Sequence, residues 1–173
     1  MKKIIKIKAK SISYGSKRNR SAVKYPIFHF TALKNDTAVN EGRYYANVNT
    51  RSAGAHFFID RKGNIVKSID LNRVAWSVGG SLYTDIKKTG GAKLHNIATN
   101  YNSVSIELCD IADKYPSKEQ IEAVKYVLKY IRKYCKNATR TPIRHFDVTG
   151  KYCPATMMNK RTWEKFLRDI GEK

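Results

Sequence analysis

Acidic residues are scarce in this chain. Asp and Glu number 14 against 34 Lys and Arg, giving a formal net charge of +20 over 173 residues. A field of that sign gathers polyanions and weakens as salt rises. Nucleic acid, anionic lipid and anionic envelope polymers all suit it, and charge alone does not choose among them. No nucleic-acid-binding motif accompanies the charge, so no specific nucleic-acid partner is expected. Long apolar runs are also missing. No stretch of about 18 apolar residues exists, which excludes a transmembrane helix. Lysines interrupt Met1–Lys10 too often for a signal-peptide core, so synthesis without an export signal is expected. Cysteine is sparse and odd in number: Cys109, Cys135 and Cys153 have no disulfide-framework spacing and read as thiols. Internal repeats and low-complexity linkers are absent as well.

What remains is enough for one domain with a real core, since 42% of residues are hydrophobic. Residues 1–24 carry nine Lys or Arg and no acid, and read as a basic N-terminal arm. Ile4, Ile5, Ile7 and Ala9 alternatively give that arm a short edge strand. Residues 25–173 form the domain proper. Ile27–Thr31 reads as a strand with His29 on the face of Ile27 and Thr31. Asp36 caps a helix through Tyr45 that Gly42 weakens. Ala55–Asp60 and Ile65–Ile69 read as a hairpin around Arg61–Asn64. Residues 73–101 form a long, glycine-punctuated irregular stretch of the kind that often binds ligands.

Ser103–Cys109 alternates, with Val104, Ile106 and Leu108 on one face and Glu107 on the other. Ser117 caps a long helix, with Gln120 completing a capping box. Its stripe of Ile121, Val124, Leu128, Ile131 and Cys135 reads as core. A last helix, Asn159–Ile170, buries Trp163, Phe166, Leu167 and Ile170. Strands and helices in this order predict an α/β fold, a single mixed β-sheet flanked by helices.

The densest chemistry lies in His145-Phe-Asp-Val-Thr-Gly-Lys-Tyr-Cys-Pro154. It sets an imidazole, an ammonium and a thiol within nine residues, in a segment read as too irregular for a helix face. Thiolate and imidazole together favour a borderline-soft ion such as zinc. His29, in the upstream apolar strand, is the third candidate ligand. Three protein ligands with an open fourth position describe a catalytic zinc site. Glu107 is placed either as a general base or as a salt-bridged strand residue. Lys151 is either an oxyanion stabiliser or one more surface lysine. Trp76 and Tyr83, in the glycine-flanked loop, are either core or substrate-contacting groove residues. His56 reads as packed or as supporting the site, and His95 as a surface residue.

Ile27-Phe-His-Phe-Thr31, Ala55-His-Phe-Phe-Ile-Asp60, Asn102-Ser-Val-Ser-Ile-Glu-Leu-Cys109 and His145 through Pro154 occur in that order. This series resembles the zinc-dependent N-acetylmuramoyl-L-alanine amidases of the type 2 family, which contains phage endolysins and peptidoglycan-recognition proteins. The resemblance covers residues 25–155. It implies a zinc-containing groove on one side of the sheet, with one Zn²⁺ per chain held by His29, His145 and Cys153. It implies Glu107 and Lys151 as catalytic residues and hydrolysis of the amide between N-acetylmuramic acid and L-alanine. Two positions depart from the family: Ala55 stands where some members have tyrosine, and Ser77 where histidine often follows the tryptophan.

The expected partner is bacterial peptidoglycan, with anionic envelope polymers on the basic surface and a monomeric state favoured by charge repulsion. The resemblance and the expected lack of an export signal imply an endolysin of phage or prophage. Such a protein is made in the host cytoplasm and reaches the wall through a holin-made lesion or from outside. A cytoplasmic muropeptide-recycling amidase and a non-catalytic recognition module are the alternatives.

Overall fold

Strands form where β-branched and aromatic residues alternate or run together. The computed structural model describes residues 2–173. Its strands are Ile4–Lys6 (β1), Tyr14–Lys17 (β2), Tyr25–Phe30 (β3), Phe57–Ile59 (β4), Ile65–Lys67 (β5), Arg73–Ala75 (β6), Ser103–Leu108 (β7) and Ile143–Arg144 (β8). The α-helices are Ala38–Asn47 (α1), Ile86–Thr89 (α2), Lys118–Tyr134 (α3), His145–Thr149 (α4) and Lys160–Asp169 (α5). Six strands make one sheet in the order β1-β5-β4-β7-β3-β8, and β2 and β6 form a separate antiparallel pair. Only β4 and β5 pair antiparallel in the large sheet; the other neighbours are parallel. This is the mixed sheet expected from sequence.

One sheet face is covered by α3 and α5. Phe28, Val104, Ile106 and Leu108 meet Val124, Leu128 and Ile131 of α3 and Phe166 of α5 in a continuous core. Each such buried aliphatic or aromatic side chain contributes about 1.5–3 kcal/mol relative to exposure. Phe28 packs edge-on against Phe166 at 5.0 Å between ring centres. On the opposite face α1 lies over Phe58 and Val66. Gly42, which lowers helix propensity, sets that approach: a Cβ there would come 2.8 Å from Val66 Cγ1.

Several local expectations change. Residues 4–6 of the basic stretch take the strand alternative, pairing Ile4, Ile5 and Lys6 with Ile65, Val66 and Lys67. The N-cap of α1 is Thr37, whose Oγ1 accepts from Asn40 N; Asp36 Oδ1 accepts instead from its neighbour Thr37 N. Ser117 does cap α3, accepting from Gln120 N. The capping box does not form, because the Gln120 amide is drawn inward to the Ile59 and Cys109 carbonyls. Residues 145–149 are helical, contrary to the irregular reading. Asp147 accepts the Arg144 backbone N–H at the start of that turn, and Gly150 ends it at φ 81°.

Candidate active site

The site grows from the register of three parallel strands. His29 of β3 lies opposite Glu107 of β7. Phe28 lies opposite Arg144 of β8, so His29 and His145 follow side by side at the carboxyl ends of their strands. Crevices beyond carboxyl strand ends are where open α/β sheets bind ligands. Cys153 returns to this point because Phe146 N donates to Cys153 O at 3.0 Å, closing the loop after α4. The Cys153–Pro154 peptide is cis.

The Nδ1 atoms of His29 and His145 face each other at 3.1 Å, and Cys153 Sγ lies 4.0 Å from His29 Nδ1. All three candidate ligand atoms fall within 4.8 Å of one another, and all three residues are buried. Tetrahedral ligands about 2.0–2.3 Å from zinc sit about 3.3–3.7 Å apart, and the separations here, 3.1 Å, 4.0 Å and none above 4.8 Å, straddle that range. The electrostatics fit that ion. Burial, the neighbouring His145 and Lys151 hold His29 well below its ordinary pKa. Burial and Lys151 lower His145 to about 3. Both imidazoles are therefore neutral, with lone pairs to give. Burial and Glu107 push the Cys153 thiol up to about 12, against the pull of Phe30's backbone and Lys151. A thiol buried among two neutral imidazoles gains its charge only with a cation beside it. His29 Nε2 is buried and has no hydrogen-bond partner among the described residues.

These residues open on a cavity of about 840 Å³ whose wall includes Glu107, Lys151, Trp76, Glu41 and Arg51. Burial raises the Glu107 carboxyl to about 7; Lys151 opposes this and Asp36 adds to it. Its Oε2 is buried and unpartnered. Burial, together with Asp36 and Glu107, carries Glu41 to about 8. Trp76 packs against Gly15 of β2: a Cβ there would sit 2.5 Å from its Cζ2, so only glycine leaves room for the indole. Ala55 is buried beneath α1, and the phenols on this cavity come from Tyr44, Tyr45 and Tyr152.

Tyr83 is not on this cavity. It lines a second one of about 520 Å³, which Tyr152 shares with the first. His56 lies apart from the ligand cluster, hydrogen-bonded on both ring nitrogens. His95 is half-buried rather than a surface residue, donating from Nδ1 to Val148 O at 3.3 Å.

Sequence reading missed Arg144, Glu41 and Arg51. Arg144 grips Asp147 through Nε (3.1 Å) and Nη2 (2.7 Å) and reaches the Met157 and Met158 carbonyls. It thereby fixes the turn that presents His145. The Arg-x-x-Asp spacing was its only signal. Glu41 and Arg51 had none, because the packing of α1 turns Glu41 to the cavity and the bend after that helix, where Arg51 N donates to Asn49 Oδ1, carries Arg51 there.

The family model described as N-acetylmuramoyl-L-alanine amidase matches residues 19–156. The N-acetylmuramoyl-L-alanine amidase CwlA of Bacillus subtilis (strain 168) is 29% identical over 183 residues, covering 99% of this chain and 60% of the relative. The amidase CwlL of Bacillus licheniformis is 28% identical over 141 residues, covering 78% of this chain and 37% of that one. The chain thus spans about half the length of these curated relatives. The solved catalytic domain of XlyA superposes with a TM-score of 0.72 at 23% identity, covering 98% of this chain and 99% of that one. With this fold, and with a family model matching most of its length, the chain belongs to the N-acetylmuramoyl-L-alanine amidase type 2 family.

Proposed function

We propose that the chain is a zinc-dependent, endolysin-type amidase that cleaves peptidoglycan between N-acetylmuramic acid and the L-alanine of the stem peptide. The observation that carries this is the meeting of His29, His145 and Cys153 beside an unpartnered Glu107 on one open cavity. His29 and His145 offer neutral nitrogens, and Cys153 a sulfur, to one Zn²⁺ per chain. Zinc in that place supplies Lewis-acid polarisation of a carbonyl and a water acidified towards neutrality.

The chain's own groups do the rest. Glu107, with its carboxyl near 7, takes a proton from the attacking water and passes it to the leaving amine as the amide C–N bond breaks. The Lys151 ammonium, on the loop between the ligands, favours negative charge developing on the carbonyl oxygen. Trp76, seated on Gly15, supplies a flat wall against which substrate packs. Residues 1–24 and the rest of the basic surface hold anionic envelope polymers, and this binding weakens as salt is added. The protein works as a monomer.

Zinc analysis paired with digestion of purified peptidoglycan tests the reading. The expected result is one zinc per chain and new L-alanine amino termini that chelator abolishes. Binding without cleavage at full zinc occupancy would make the chain a recognition module. Preference for soluble muropeptide over intact wall would make it a recycling enzyme.

A further inference from the structure

The second cavity lies on the far side of Tyr152 from the His29 groove, and that tyrosine, 67% exposed, lines both. Its outer wall, the segment around Tyr83, is built into the fold. Tyr83 N donates to Thr149 O (3.0 Å), Ala92 N to Phe146 O (2.9 Å) and Leu94 N to Asp147 O (2.8 Å). Gly150, at φ 81°, lets Ile86 rest directly on the backbone that carries the ligands. The wall is thus clamped to the segment that carries His145 and Cys153.

The two cavities differ in charge. The first has Arg51 and Lys151 together with Glu41 and Glu107. Among the described residues no Lys or Arg lines the second, although the chain has 34 of them. Its lining instead includes three aromatic residues (Tyr83, Phe146, Tyr152) together with Thr84, Thr89 and Asn159. Asp85 is its one charged group. Such a lining offers no counter-ion to a carboxylate or phosphate. It suits a neutral, hydroxyl-rich ligand whose apolar faces pack on rings while its polar edges find hydrogen bonds. A volume of about 520 Å³ is in the ordinary range for small-ligand sites.

We infer that this second cavity is a glycan subsite. It takes N-acetylated sugar rings of the peptidoglycan strand, while the charged stem peptide lies in the first groove. This rests on the amidase reading, which makes a glycan and a peptide the two arms of one substrate meeting beside Tyr152.

The test is a calorimetric titration of the zinc-loaded full chain with a peptide-free N-acetylglucosamine tetramer and, separately, with a sugar-free stem peptide. The tetramer should bind wild type and Tyr83→Phe alike and bind Tyr83→Ala at least tenfold more weakly. The stem peptide should bind wild type and Tyr83→Ala equally. Absence of tetramer binding to wild type, unchanged tetramer affinity in Tyr83→Ala, or equal loss of both ligands would overturn the subsite. Should Tyr83→Ala melt early, Asp85→Asn replaces it, because the Asp85 side chain makes no capping hydrogen bond. Several-fold weaker tetramer binding is then expected, and unchanged affinity refutes the assignment. Binding is read without turnover, so failure of the amidase reading appears separately, as wild type releasing no L-alanine amino termini.

Discussion

Two buried histidine environments lie beside this sheet, and they are built to opposite ends. His56 and the His29–His145 pair are all nearly inaccessible to solvent, and all are held neutral. Both ring nitrogens of His56 are engaged. Ser105 N donates to its Nδ1 at 3.1 Å, so the ring proton sits on Nε2 and goes to Arg73 O at 3.1 Å. The Arg18 guanidinium, anchored on the Leu71, Asn100 and Tyr101 carbonyls, presses against the same edge and opposes a second proton. Around His29 the arrangement is unfinished: two nitrogens face each other, a thiol sits beside them, and Nε2 has no partner among the described residues. Burial and a lowered pKa are common to both places. Hydrogen-bond completion separates the structural histidine from the candidate ligands.

The largest effect is expected from breaking the incomplete side. Cys153→Ser should lose zinc and reduce peptidoglycan cleavage to background; elemental analysis and amino-terminus release measure both. Retained zinc with full activity would remove Cys153 from the ligand set. Glu107→Gln comes next. It should keep one zinc per chain while cleavage falls about 10²–10⁴-fold, the range of general acid–base assistance. An unchanged rate would return Glu107 to a packing role.

His56→Gln probes the completed side. Loss of its buried hydrogen bonds should cost about 1–3 kcal/mol of stability at neutral pH, with zinc content unchanged. The pH dependence follows from the sign of its shift. Burial, with Arg18, lowers the folded pKa to about 3, whereas the unfolded imidazole titrates near its ordinary 6.5. Acid therefore protonates the unfolded chain first, and this stabilisation, complete above 6.5, is lost as pH falls towards 3. Between pH 6.5 and 5, wild type should lose about 2 kcal/mol relative to His56→Gln. Parallel urea-melt curves across that window would contradict the assignment. The smallest effect is expected at His95, whose one long bond to Val148 O tethers the 92–98 segment. His95→Ala should cost about 0.5–1.5 kcal/mol and leave zinc in place. Zinc loss in that variant would mean the segment positions the ligands more directly.

Much of this was readable residue by residue. The apolar stripe of α3 lies in the core as expected, as do Trp163, Phe166 and Leu167 of α5. The expected hairpin of β4 and β5 is present. Errors cluster where tertiary contacts compete with local bonding. Gln120 leaves its helix cap for two sheet carbonyls, and residues 145–149 coil into a turn held by Arg144 and Asp147. The loop carrying Trp76 and Tyr83 divides between two cavities because residues 92–95 are pinned to the 146–148 segment. No local periodicity reports such pinning.

By itself the sequence determined the residue types: a thiol and two imidazoles in apolar settings, an acid on the polar face of a strand, and an excess of cations. Those follow from composition, alternation and short spacing, which depend only on neighbours along the chain. Tertiary structure alone decided that His29 and His145 stand 3.1 Å apart across 116 residues, and that Glu107 shares their cavity. Parallel strand register made that decision, because a slip of one residue would turn either side chain to the opposite face of the sheet.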